Sequence, residues 1–431
     1  MIYWAQLFHF YQPPTQLPVV LEKICNESYK PLLQVLQDNP HVRATLNING
    51  VLLEMLQDYG HRDVIRRLQL VGEKCEAEFT GSGKYHPILP LLPPEERKRQ
   101  IELNIATGRH FLGEAYVPKG FFPPEMCYSD DILPEITATG HQWIILSGIA
   151  CPAPWPVDKI YQVEYEGKKV AVLFRDDILS NKISFKQIGP GDFFEHLKQT
   201  ANEKENIYLI TAMDAETYGH HIQNWERLFL AAVYEQLSPT RKTYADIKQA
   251  TKLADQQRAL LADTSFAQQV KMVTISELLQ IFPAGETINP KPSSWSTCAE
   301  DLAAGNPYPL WLDKDNEVHR LQWEHIRLCI EMVRKAGECT DNDECRFFSR
   351  IARGLLDIAE HSCQFWWASH RPMWDINLIH LGLIDQWRAM VNAYRAINRS
   401  SIDAETKTSY YHKVVAARDI RNKITDRLFV Q

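Results

Sequence analysis

No apolar run in this 431-residue chain is long enough to span a bilayer, which argues against a membrane-spanning protein. Basic residues are not in excess. Lys and Arg number 47 against 54 Asp and Glu, for a net charge of −7, and the basic footprint of a nucleic-acid binder is missing. The nine cysteines are odd in number, scattered and without a C-x-x-C pair. That pattern excludes a zinc ribbon and a disulfide framework and leaves free thiols. There is no G-x-S-x-G, no Walker-type phosphate loop, and no H-E-x-x-H or H-x-x-x-H pair. The N-terminal Met1–Phe10 has neither the basic stretch nor the cleavage site of a signal peptide, so a cytoplasmic location is expected. Internal repeats and low-complexity tracts are also lacking.

What is present is an ordinary globular composition, 45% hydrophobic and 23% charged, at a length that allows more than one domain. Strand-like runs recur at residues 2–9, 44–49, 76–81, 118–125, 142–147, 170–175, 207–213 and 271–275. Helical patterns lie between them, at 51–59, 94–112, 192–200 and 225–236. This alternation predicts a mostly parallel sheet, and seven or eight units predict a barrel. Residues 160–174 read as a hairpin turning at Glu166-Gly167. From 283 to 316 the chain is rich in Pro, Gly, Ser and Asn, the composition of a long loop or lid. Helical periodicity then fills 317–336, 343–368, 376–398 and 404–429. The expected domains are a catalytic barrel over 1–282, a loop over the active site at 283–316, and a helical domain over 317–431.

Acids and imidazoles gather where the strands end, the mouth at which such architectures display catalytic groups. The run from Ile207 stops in Asp214, Glu216, His220 and His221. Strand one closes at His9 and Gln12 before two prolines, where His9 can bond a sugar hydroxyl, orient a carboxylate, or simply be a satisfied core histidine. Glu76 and Glu78 share a face by alternation, and Glu78 lies nearer the mouth. His86 follows in a Gly-containing loop, either lining the cleft or solvated. Glu125 follows two aromatics and two prolines, a rigid setting that suits a nucleophile. Paired acids on different strands are the equipment of glycoside hydrolysis. Tryptophans gather at 295, 311, 323, 366, 367 and 374. A His/Asp metal site from His9, Asp214, His220 and His221 is the competing assembly.

In order and spacing, these motifs resemble the five regions of glycoside hydrolase family 57. His9-Phe-Tyr-Gln-Pro13 resembles the first, Glu78 with Thr80-Gly81 and His86-Pro87 the second, and Gly120 to Glu125 the third. Asp214-Ala-Glu216 resembles the fourth and Ser362-Cys-Gln-Phe-Trp-Trp367 the fifth. The resemblance implies an α/β fold, an incomplete (β/α)7 TIM-like barrel followed by a C-terminal helical-bundle domain. It also implies a retaining enzyme of the amylase, 4-α-glucanotransferase or branching type, acting on α-1,4-glucans with no metal or other cofactor. Glu125 is then the nucleophile and Asp214 the general acid/base. Substrate-binding residues are expected to be His9, Gln12, Glu78, His86, Glu216, His220, Trp295, Trp366, Trp367 and His370.

The chain departs from the pattern at three places. Ala215 stands where Gly is usual, and strain follows if φ is positive there. Tyr11 replaces a common His, and Cys363 or Gln364 stands near an expected Asp. The alternatives are a metal-dependent polysaccharide deacetylase or α-mannosidase-like hydrolase, and an inactive glucan-binding relative. Asp214 is expected to hold its proton at neutral pH because Glu216 and Glu125 raise its pKa, with desolvation by Tyr218 and Trp residues adding to them, and Glu125 is expected to be ionised.

Overall fold

The computed structural model describes residues 1–74, 77–201, 205–238 and 264–429, so Cys75 and Glu76 of the sequence reading lie outside the described residues. The chain divides into two compact units. One comprises Met1–Gln12, Gln16–Lys84 and Pro93–Trp295; the other comprises Pro13–Thr15, Tyr85–Leu92 and Ser296–Gln431.

The first unit carries β1 (Ile2–Phe10), β2 (Ala44–Ile48), β3 (Ala77–Phe79), β4 (Gly120–Phe121), β5 (Trp143–Leu146), β6 (Ile160–Tyr165), β7 (Lys168–Phe174), β8 (Ile207–Asp214), β9 (Val270–Val273) and β10 (Ala284–Thr287). β1 is the axis of the arrangement. β8 pairs with it in parallel along its length. β2 pairs with its upper half and β9 with its lower half. The ring continues through parallel β2–β3, β4–β5 and β5–β7 ladders. Only a single bridge, Gly81 to Phe121, joins β3 to β4. The amide of Asp176, just past β7, donates to the carbonyl of Ile210 on β8 (2.8 Å). Among the described residues, parallel β1, β2, β3, β4, β5, β7 and β8 therefore run round an incomplete barrel, with β9 added in parallel on the lower half of β1, as expected from the alternating pattern.

β6 and β7 form the antiparallel hairpin, and Glu166 and Gly167 both take positive φ (48° and 77°), as a two-residue turn of this hand requires. β10 adds to β6, so part of the stretch expected to be loop is strand. Among the described residues no helix is long and apolar enough to cross a membrane.

Period-two alternation sorts each strand's side chains. Ala5 and Leu7 of β1 join Ile210 and Ala212 of β8 in the barrel core, with Phe122, Trp143, Ile145 and Leu173. Trp4 and Gln6 turn outward to Phe193 and Tyr234 on the surrounding helices. Where β4 meets β5 the backbone comes very close: a Cβ on Gly120 would sit 1.9 Å from Trp143 Cε2.

The second unit is built on α1 (Glu317–Glu338), α2 (Asp343–Ala359), α3 (Ile376–Arg399) and α4 (Ala404–Leu428). Each start is capped by the residue before it: Asn316, Asn342, Asp375 or Asp403 accepts from a first-turn amide. The helix expected over 343–368 breaks after Ala359, and a short helix, Cys363–Trp366, follows. Gln364, fully buried, accounts for the break. Its amide donates to the carbonyls of Ala359 and His361 that the helix end leaves open.

Gly120→Ala is expected to destabilise the barrel by roughly 1–3 kcal/mol through overpacking against Trp143. An unchanged urea midpoint and melting temperature would contradict this account of the β4–β5 contact.

Candidate active site

The register of β1 decides what the top of the barrel displays. His9 lies opposite Asp214 on β8 and Asn47 on β2. With inward-pointing Ala5, Leu7, Ile210 and Ala212 below, both His9 and Asp214 face the interior. His9 Nδ1 bonds Asn47 Oδ1 (2.6 Å), and Asn47 Nδ2 donates to Thr80 Oγ1 (2.8 Å). Those bonds hold the imidazole by one nitrogen. Its ring stacks on Phe122 (4.8 Å, 18°) and meets Trp295 edge-on (5.8 Å).

Glu125 reaches the same layer by a strained route. After Pro123 and Pro124, Glu125 (φ 59°) and Met126 (φ 50°) are both left-handed, which costs about 1–3 kcal/mol per residue. The surroundings hold this turn closed. The amides of Met126 and Cys127 donate to Pro123 and Pro124 carbonyls, and Tyr128 pairs with Ser293 in an antiparallel bridge. Trp295, two residues on, donates twice to Glu125: its amide to the carbonyl (3.1 Å) and its indole Nε1 to Oε2 (2.7 Å). The segment 293–295 thus runs directly against the Glu125 turn.

Arg175, one residue past β7, is buried, with every arm held. Nε donates to Ala212 carbonyl, one terminal nitrogen to Asp177 and the other to Asn181 (2.7–2.8 Å). Its guanidinium lies over the Trp295 ring. Arg175 and His9 both act on Asp214 as neighbouring positive or ionisable groups.

The electrostatics follow from burial among fixed groups. Burial, then the charge of Asp214, push Glu125 up to about 8, while the Trp295 indole works the other way. Burial and Asp214 likewise take Glu216 up to about 8, opposed by hydrogen bonds from Tyr29 and Gln12. Asp214 is raised by burial, and His9 and Arg175 pull it back. Burial lowers His9, against the pull of Asp214 and Asn47. This corrects the expected cause of the Asp214 shift. Desolvation, the lesser part of that expectation, leads at Asp214, and the repulsion between the acids shows at Glu125 and Glu216 instead; the expected ionisation of Glu125 is corrected too, since it holds a proton up to about pH 8.

The barrel unit brings together His9, Gln12, Glu125, Asp214, Glu216 and Trp295. Glu78 does point inward, but it pairs with Thr45, one layer below the His9 level. Its carboxylate accepts from Thr45 Oγ1 (2.8 Å) and the Ser276 amide (3.0 Å), so the expected place at the mouth is corrected: it caps the helix Ile275–Ile281 from inside the barrel. His220 is half-buried and bonded to Glu27 (2.7 Å).

Among the residues of the helical unit, His86 is fully buried, with Nδ1 on Ser362 Oγ (3.0 Å). Trp366 is half-buried and His370 exposed, stacked on Trp374 (3.8 Å, 11°). Trp367 is only 4% exposed and packs with Leu321, Ile379 and Leu383 in that unit's core, so it offers no face to a sugar. Gln364 is equally enclosed. Ala215 opens a 3₁₀ turn and is not among the left-handed residues, so the strain anticipated from replacing Gly is not incurred.

Sequence reading passed over Asn47, Arg175 and Tyr29. Arg175 and Asn47 had a usable signal, a polar residue at the end of a buried run. Tyr29 had none, because its π-helical turn, Cys25–Tyr29, does not show in apolar periodicity.

Residues 8–262 match the model of glycosyl hydrolase family 57. The chain belongs to this family. An α-amylase of Pyrococcus horikoshii is 24% identical over 246 residues, covering 54% of this chain and 37% of that protein. A 4-α-glucanotransferase of Thermococcus litoralis is 22% identical over 254 residues, covering 55% and 37%. The chain thus spans little more than a third of the length of these curated relatives. The crystal structure of a family 57 branching enzyme from Pyrococcus horikoshii superposes with a TM-score of 0.68 at 14% identity, over 97% of this chain and 95% of that one. The shared fold is the family 57 barrel with its helical region.

Trp295→Phe removes the indole donor that favours ionised Glu125. The Glu125 pKa then rises further, and the acidic limb of the kcat/KM profile should move to higher pH, as a macroscopic value of the coupled acids. A limb that stays in place, or moves to lower pH, contradicts this role of Trp295.

Proposed function

We propose that this family 57 chain is a retaining α-glucan-active glycosidase or transglycosidase, with Glu125 as nucleophile and Asp214 as general acid/base. The observation that carries the reading is the convergence of Glu125 and Asp214 on one aromatic cluster: the Trp295 indole bonds Glu125, and its ring meets His9, which lies opposite Asp214 in the β1–β8 register. Family membership favours this over the metal-dependent and non-catalytic alternatives.

The reactive form is the one with the proton on Asp214 and Glu125 ionised; in it the Glu125 carboxylate forms a bond to the anomeric carbon as the glycosidic C–O bond breaks. The Asp214 proton passes to the departing oxygen. Glu125 loses its charge in the ester, and the fixed cation of Arg175 favours the Asp214 anion that remains. That anion takes a proton from water, or from the hydroxyl of a second sugar, which opens the ester and restores both acids. Water gives hydrolysis, and a sugar acceptor gives transfer or branching. His9 and Trp295 are proposed to contact the sugar. A cytoplasmic location belongs to the same proposal.

Glu125→Ala should abolish turnover of amylose, and azide should restore cleavage of an activated aryl α-maltoside with a glycosyl azide of inverted configuration. Asp214→Ala should lose about 10²–10⁴-fold on amylose yet keep most activity on the activated substrate, because only poor leaving groups need a proton. Amylose turnover near the parent rate in either variant would falsify that residue's assignment. Product analysis on maltooligosaccharides separates hydrolysis from transfer.

A further inference from the structure

β8 stands at the edge of its sheet, with β1 on one side and, among the described residues, no ladder on the other. Buried backbone groups on such an edge need partners from elsewhere. The segment beyond β7 supplies them. Ser180 Oγ accepts from the Ala212 amide (3.2 Å), and Arg175 Nε donates to the Ala212 carbonyl (2.7 Å). Ala212 is two residues before Asp214, so Arg175 grips the strand directly below one acid. The same guanidinium lies over the Trp295 ring, 5.9 Å from its centre, and the indole of that ring bonds Glu125. One side chain therefore touches both supports: the backbone that carries Asp214 and the indole that pins Glu125.

A planar fork acts as a spacer only if it cannot swing. Asp177 is placed to stop it. Its Oδ1 accepts from a terminal nitrogen of Arg175 (2.7 Å), and its Oδ2 accepts from Ser147 Oγ (2.8 Å) and the Ile149 amide (3.1 Å). Asp177 opens the helix Asp177–Ser184, while Ser147 and Ile149 lie just past β5. The carboxylate thus ties Arg175, at the end of β7, to the end of β5. Gly148 lets them approach: a Cβ there would sit 2.8 Å from the Arg175 carbonyl and 2.9 Å from Asp177 Oδ2. Asn181, one turn along the same helix, takes the other terminal nitrogen (2.8 Å).

We infer that Asp177 is a positioning residue, which through Arg175 holds the Asp214 strand and the Trp295–Glu125 pair at a fixed separation. The inference rests on the reading of Glu125 and Asp214 as the two catalytic acids. Double displacement needs its carboxyl groups roughly 5–5.5 Å apart, so a spacer between their supports bears directly on the reaction.

Asp177→Asn is isosteric, but its amide brings two protons to a site made of donors. Either Arg175 or the Ser147–Ile149 pair loses its acceptor. With Arg175 free to swing, the Trp295 ring loses its backing and the bond to Glu125 loosens. kcat should fall about 10–10²-fold, on maltoheptaose and on a nitrophenyl α-maltoside alike, with KM little changed, because misplaced reacting groups cost rate whatever the leaving group. The acidic limb of kcat/KM should move to higher pH, as in Trp295→Phe. The sign of that shift separates positioning from charge. Among the titratable groups, Asp214 acts on Glu125, Glu125 on Cys127 in its own turn, and His9 and Arg175 on Asp214. Removing the Asp177 charge beside them favours the carboxylate anions and by itself moves the limb to lower pH. In Asp177→Asn/Trp295→Phe the limb should stand where Trp295→Phe alone puts it, since Asp177 acts through that ring. Arg175→Lys keeps the charge and loses the fork, so it should reproduce the loss in kcat, and it carries the test if Asp177→Asn does not fold. An acidic limb that is unmoved or moves to lower pH in Asp177→Asn, shifts that add in the double variant, or parent kcat in Arg175→Lys would each overturn the inference. Glu125→Ala run alongside tests the underlying reading separately: amylose turnover there removes the nucleophile itself, whereas an inactive Glu125→Ala beside additive shifts removes only the positioning.

Discussion

The in-register parallel pairing of β1 with β8 is the constraint on which the site depends. It sets His9 against Asp214 and, through β2, against Asn47. Because alternation has period two, a slip of β1 by one residue would turn His9 out of the barrel and bring Phe8 in, and a slip of β8 would do the same with Asp214 and Met213. The apolar layers below, Ala5 with Ile210 and Leu7 with Ala212, make that slip costly. Core packing and catalytic geometry are therefore one specification.

Around this layer the charges are fixed rather than mobile. Arg175 has every arm bonded, Glu125 is pinned by the indole of Trp295, and Glu216 is held by two donors. Groups that need not reorganise as charge moves are the basis of electrostatic preorganisation. The left-handed pair at Glu125 and Met126 belongs to the same picture, since the bridge at Tyr128 and Ser293 and the proline-fixed turn hold a backbone that would otherwise relax.

Much of this was legible in the sequence, and the limits have physical reasons. β1, β8, the helix Pro94–Leu112 and the Glu166-Gly167 hairpin follow from periodicity and turn chemistry and are found within a residue or two. β4 is only Gly120–Phe121, because the prolines at 123 and 124 cannot extend a ladder. Alternation gave Glu78 the right face but not its depth, since a period reports which side a residue lies on and not which layer. Trp367 and Gln364 lie within a tryptophan-rich motif, yet packing in the helical core claims both. Tyr29 was invisible, because a π turn breaks the spacing on which helical reading relies.

The two compact units are interleaved along the chain, and this bears on how the protein is made. Tyr85–Leu92 emerges from the ribosome early but belongs with a helical body synthesised more than two hundred residues later. His86 must wait for Ser362, a separation of 276 residues, to make its hydrogen bond. Contacts of such range close large loops late and slow the folding of the parts they join. They also defeat simple dissection. A cut near residue 316 leaves the segment around His86 on the barrel fragment, where its buried imidazole has lost its partner, and leaves the helical fragment with Ser362 uncovered. Genetic excision of either unit therefore has to be designed around five crossings of the chain, not one.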